Sequence, residues 1–256
     1  MPEWIDLKQA ARALKEGDGA RVTVAVIDSG IETSHPQLDG VTLIDDLAVV
    51  PGGHMLKAVP GAGLDVFGHG TAVAGTILSL APKCQLGSFR VLGSDNASKT
   101  EIVQRAALEA VDRGYKILNC SFGGKKKLEA YKAWVDEAYL KGVHIVAACN
   151  NEDFRTPEWP AYFPSVVAVN MMQTDEDSLF FYQRDTLVEF VARGINVKVL
   201  WRDGREKTVC GSSFAAPRLT ALLARLLSVY PDVTPLQAKA ILHKIARPWR
   251  GRPGES

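Results

Sequence analysis

The chain has 256 residues, 46% of them hydrophobic, with 30 Lys and Arg set against 29 Asp and Glu. That length and apolar content bury one sizeable core, and a single domain is the simplest reading. Charges that nearly cancel and are spread along the sequence exclude the basic footprint of a nucleic-acid binder, and no segment carries an apolar run long enough to span a bilayer.

The opening stretch, MPEWIDLKQAARALKEG, lacks the basic start and unbroken apolar run of a secretory signal, so a cytoplasmic protein is expected; a signal removed upstream would make it a secreted one. RVTVAVI (21–27) is a short β-branched run ending in Asp-Ser-Gly and reads as a buried strand leading into a turn. Comparable runs follow in CQLGSFRVL, YKILNCSF, VHIVAAC and SVVAVN. Helical patterns lie between several of them, at 71–81, 100–114 and 125–142. Nearly continuous apolar strands alternating with helices predict an α/β single domain, with a mainly parallel central sheet flanked by helices on both faces. Asp203-Gly204 between two strand-like runs predicts a hairpin. Two further helices are expected at 213–230 and 234–246, closing a domain of residues 1–247, and 248–256, rich in Arg, Pro and Gly, is expected to be a flexible tail. Cys84, Cys120, Cys149 and Cys210 form no CxxC pair, which predicts buried free thiols and no zinc site.

In doubly wound sheets, functional groups gather at the carboxyl ends of strands and the adjoining helix starts. Asp28 ends the first strand, His69 opens a helix in DVFGHGTAVAG, and Ser213 opens another in CGSSFAAPRL. Serine attack on a carbonyl needs a base for the hydroxyl proton, and that base needs a carboxylate to fix its tautomer. Asp28, His69 and Ser213 supply the three types. Without further context, an aspartate after a strand is usually a turn residue and a serine before an apolar run is usually a helix cap.

VAVIDSGIETSHPQL, GHGTAVAG and GSSFAAP, in that order, resemble the three signatures of the subtilisin-like serine peptidases. The resemblance implies a subtilisin-like fold and a serine endopeptidase acting through an acyl-enzyme. By its register Ser213 is the nucleophile, His69 the general base and then acid, and Asp28 the orienter. Activity is expected to rise with pH as His69 loses its proton, near pH ~7 at the ordinary histidine pKa. VAACNNED implies that the Asn151 side chain is an oxyanion donor alongside the Ser213 amide, with Asn150 where the family usually has glycine. NCSFGG implies that Ser121, Phe122 and Gly123 pair with an extended peptide or protein substrate, with GSDNAS (93–98) opposite them as strand or loop. Glu158 falls at the base of the pocket for the residue preceding the cut, where a carboxylate selects Arg or Lys.

Two residue-level departures from the family pattern stand beside several matches. The helix after His69 runs straight into the next strand, leaving no room for the usual calcium loop, so neither that metal nor another cofactor is expected. Ala72 replaces the histidine usual three places after the catalytic one. Pro217 is expected in the first turn of its helix, where a missing N–H costs little. His35 matches a structural family position, and His54, His144 and His243 have no motif around them. Two other outcomes remain open on the residues: a ligase or macrocyclase that resolves the acyl-enzyme with an amine, and a silent peptide-binding module.

Overall fold

The computed structural model describes residues 5–53, 55–126 and 128–249. Thr23–Asp28 forms β1, buried along nearly its whole length. Its side chains alternate between two cores: Val24 and Val26 join one, Ala25 and Ile27 the other. A strand with apolar residues on both faces is the central element of a sheet covered twice.

Around it lie β2 (Asp46–Gly52), β3 (Met55–Pro60), β4 (Gln85–Arg90), β5 (Ile117–Cys120), β6 (His144–Ala148), β7 (Val167–Met172), β8 (Phe180–Tyr182) and β9 (Phe190–Arg193). Starting from β8, the strand order is β8-β9-β7-β6-β5-β1-β4-β2-β3. All neighbours from β9 through to β2 are parallel. β3 and β8 are antiparallel to β2 and β9 respectively.

The first face is covered by α1 (Leu7–Glu16), α2 (His69–Leu80), α5 (Ser212–Val229) and α6 (Pro235–Ile245), the second by α3 (Thr100–Asp112) and α4 (Leu128–Leu140). Asp6 caps α1 by accepting from the N–H groups of Lys8 and Gln9, and Thr234 caps α6 in a reciprocal box with Gln237. α5 is buried on almost every side and touches β5, β6, β7 and β9 as well as α1 and α2. It is therefore the central helix, and whatever its amino end carries is held by the whole core.

The expected hairpin is present, with β10 (Val197–Trp201) antiparallel to β11 (Arg205–Val209). Asp203 and Gly204 both have positive φ, 63° and 65°, within the three-residue loop 202–204 that joins Trp201 to its cross-strand partner Arg205. Under it, Ala72 packs in a small apolar cluster with Val197, Val199 and Phe214. Three features depart from expectation. Pro217 sits in the second turn of α5, not the first, so the Ser213 carbonyl loses its normal helical partner. Arg247 and Pro248 form a short strand, β12, in parallel with Phe181 and Tyr182, and the Trp249 N–H donates to the Tyr182 carbonyl at 2.9 Å. Pro248 and Trp249, expected in the tail, thus lie on the sheet edge; 250–256 lie outside the described residues. Cys84, Cys120 and Cys149 are buried as expected, whereas Cys210 is exposed, because it lies on the connection from β11 to α5.

Candidate active site

β1 delivers Asp28 at its carboxyl end, and α2 begins with His69 directly opposite. His69 Nδ1 lies 2.9 and 3.0 Å from the two Asp28 carboxylate oxygens. Both residues are buried. A carboxylate accepts only, so Nδ1 carries the proton and Nε2 is left as the free base. Burial is the largest influence on His69 and pulls its pKa down; attraction and hydrogen bonding to Asp28, with the charge of Asp65, outweigh it and leave the pKa raised.

Asp65 is the residue that sequence reasoning missed. Its Oδ1 accepts from Ser29 Oγ (2.7 Å) and the N–H groups of Phe67 (3.0 Å) and Gly68 (2.6 Å), and its Oδ2 from the Thr71 N–H (2.8 Å) and Oγ1 (2.7 Å). Ser29 Oγ in turn accepts the Gly70 N–H at 3.0 Å. One carboxylate thus ties the turn after β1 to the first turn of α2 and fixes the spacing of Asp28 and His69. The residue at the cap position itself is Gly68, so no ordinary capping signal pointed to Asp65 in the sequence.

The serine pair divides into two roles. Ser212 is fully buried; its Oγ donates to the Cys149 carbonyl at 2.6 Å and lies 2.9 Å from Asn151 Oδ1. Ser213 is half-buried, and its hydroxyl makes no hydrogen bond with any described residue. Phe214, the next residue, brings its ring to 5.0 Å from the His69 ring, so the helix start and the imidazole share one rim.

The amide groups at that start can be accounted for one by one. Gly211 N–H donates to the Gly194 carbonyl (2.9 Å), Ser212 N–H to Asn151 Oδ1 (2.7 Å) and Phe214 N–H to the Gly211 carbonyl (3.0 Å). Only the Ser213 N–H among these four is left over, at the positive end of an 18-residue helix. Because an N–H can only donate, the Asn151 atom facing Ser212 must be oxygen, and its Nδ2 is turned away from Ser212 and unused. Asn150 is locked elsewhere: its Nδ2 donates to Glu158 Oε1 at 2.8 Å, and its Oδ1 accepts from the N–H groups of Glu152 (2.8 Å) and Asp153 (3.0 Å). Asn151, and not Asn150, therefore stands beside the serines.

Beyond β5, Ser121 is buried and accepts from Asn119 Nδ2 at 2.9 Å, while Phe122 and Gly123 run on outside any ladder. Gly124 exchanges two backbone bonds with Trp159, both 2.9 Å, which seats Glu158 against Gly123. A Cβ on Gly123 would strike the Glu158 carboxylate, so the close approach needs glycine. Glu158 has 15% of its side chain exposed and lies 3.8 Å from Lys125 Nζ. Residues 93–98 form a loop facing this segment across a hollow of about 420 Å³.

The other described histidines lie away from this rim. Buried His35 bridges the Gln37 N–H and the Arg205 carbonyl. His144 bonds the Val233 carbonyl at 3.0 Å, and burial lowers its pKa to about 4. His243 stacks on Tyr182 at 3.7 Å, and His54 lies outside the described residues. Among the described residues, no group of three or more His, Cys, Asp or Glu side chains is arranged to hold a metal ion, and no helix is long and apolar enough to cross a membrane.

A buried aspartate–histidine pair at the carboxyl edge of a parallel sheet, beside a serine at the start of the central helix, defines a subtilisin-like serine peptidase domain. The sequence pattern of the Subtilase family matches residues 19–255, and the chain belongs to that family. Subtilisin DY of Bacillus licheniformis is 30% identical over 260 residues, covering 96% of this chain and 91% of that protein. The major intracellular serine protease of Bacillus subtilis (strain 168) is 31% identical over 244 residues, covering 89% and 75%. A solved structure described as a cold adapted subtilisin-like serine proteinase superposes with a TM-score of 0.73 at 26% identity, covering 90% of this chain and 83% of that one. The protein is a serine endopeptidase, a hydrolase acting on peptide or protein substrates.

Proposed function

We propose that the chain cleaves extended polypeptides by attack of Ser213, assisted by His69 and Asp28, with a preference for Arg or Lys immediately before the cut. Ser213 Oγ attacks the scissile carbonyl as His69 Nε2 takes its proton, and Asp28 stabilises the imidazolium through Nδ1. The developing oxyanion is met by the Ser213 N–H and Asn151 Nδ2. The imidazolium gives its proton to the departing amine, and a water, deprotonated in turn by His69, releases the acyl group from Ser213. The observation that carries the reading is the amide accounting at the start of α5: the two donors left over are the two that a tetrahedral intermediate needs, and donors fixed in advance cost no reorganisation during reaction.

Glu158 supports the preference for a basic residue. It is mostly buried, it abuts the unpaired segment at Gly123, and the neighbouring Lys125 is too distant for a tight ion pair. The free thiols of all four cysteines fit a reducing compartment, as in the intracellular relative. Matched peptides with Arg or Phe before the cut test the specificity. Faster turnover of the Arg peptide is expected, and equal or faster cleavage after Phe overturns that part. Product masses report whether water or an amine resolves the acyl-enzyme.

A further inference from the structure

Three hollows adjoin one another beside the segments proposed to hold the substrate, and Ser98 lines all of them. The first, of about 420 Å³, lies between loop 93–98 and Phe122–Lys126. The second, of about 630 Å³, reaches from Lys99 to Val66 and to Arg90, whose backbone pairs with Asp28. The third, of about 720 Å³, opens towards Pro51 and Leu56 at the start of α3.

Arg90 lines the second hollow, Lys99 the second and third, and Lys126 the first and third. None of these three cations makes a hydrogen bond or ion pair with a described residue. The carboxylates on the same walls are Asp95 and Glu101, and both are engaged: Asp95 Oδ1 accepts the Ala97 N–H at 3.1 Å, and Glu101 has a partner of its own. Lys125, at the other end, leans towards Glu158. The groove thus offers unused positive charge along walls that are otherwise apolar, such as Val49, Leu56 and Ile102.

We infer that this groove is a second specificity site, in which Arg90, Lys99 and Lys126 hold an Asp or Glu side chain of the substrate on the amino-terminal side of the cut. The inference rests on the proposed substrate path: Glu158 marks the residue preceding the cut, and the groove leads away from it. The favoured substrate then carries an acidic residue followed, nearer the cut, by a basic one. Lys99 and Lys126 are exposed and Arg90 is half-buried, so the attraction is screened and its effect modest, about five-fold in kcat/KM at low salt.

The test uses the full chain and peptides with an identical residue before the cut, in which each upstream position is in turn Asp or its neutral isostere Asn. The Asp peptide is expected to be cleaved about five-fold faster at one or more positions, with the ratio falling towards one in ~0.5 M salt and in Arg90→Gln, Lys99→Gln and Lys126→Gln variants. An Asp/Asn ratio of one at every position, or a preference that survives combination of the three substitutions, overturns the inference. Cleavage of the neutral peptides in those cases leaves the peptidase reading standing; no cleavage of any peptide removes both.

Discussion

In the proposed mechanism Asn151 has two separable jobs, and replacing it by aspartate removes only one. In Asn151→Asp a carboxylate oxygen still accepts the Ser212 N–H, now 2.7 Å from Asn151 Oδ1, so the clamp on the start of α5 is kept. The donor towards the oxyanion is lost, and a negative charge replaces it. Losing the equivalent donor in subtilisin itself costs about 10²–10³ in turnover, roughly 3–4 kcal/mol of transition-state stabilisation. Charge repulsion adds to that, so kcat should fall by at least ~10³, with KM changed little because the interaction exists only in the transition state. Asn151→Ala loses the donor and the clamp together; its kcat should fall similarly, and its stability by a further ~1 kcal/mol for the unpaired Ser212 N–H. Steady-state kinetics on a peptide substrate and thermal unfolding of both variants make the comparison. An Asn151→Asp enzyme keeping more than about a tenth of its turnover would refute the assignment of the oxyanion site.

The raised pKa of His69 fixes the direction of the pH response. Protonated His69 cannot accept the serine proton, so kcat/KM should rise with pH through an apparent pKa above the ordinary 6.5. The stability contributed by the charged pair runs the other way: it is fully present below the unfolded-state pKa of about 6.5 and is lost as pH climbs through the folded value. An activity midpoint below 6.5 would contradict the Asp28 contact. For the thiols, burial raises Cys84 and Cys149 to about 12 and Cys120 still further, while Cys210 is exposed. Maleimide should therefore label one cysteine rapidly in the native protein and four after denaturation; rapid labelling of a second native thiol would show that the core around Cys84, Cys120 or Cys149 opens.

The parallel strands were legible because burial on both faces writes them as unbroken apolar runs, as in TVAVID and HIVAA. The β2–β3 hairpin was not, although Gly52-Gly53 marks its turn. It lies at a sheet edge where Asp46, Lys57 and Pro60 interrupt the alternation, so neither the strand period nor a continuous run appears. β8 and β9 are three and four residues long, too short for a periodic signal. Asp28 and His69 could be placed from strand and helix ends alone. Asp65 could not, because its importance lies in five donors from segments up to 36 residues away, an arrangement made by the fold. The different surroundings of Asn150 and Asn151 are likewise made by the fold: Glu158 occupies the first, and the Ser212 amide orients the second.

Treatment with a fluorophosphonate, followed by digestion and mass mapping of the adduct, probes the division of labour between the adjacent serines most directly. One phosphonyl group on the hydroxyl of residue 213, absent in His69→Ala, is the predicted outcome. An unmodified protein, or a label on residue 212, would contradict it.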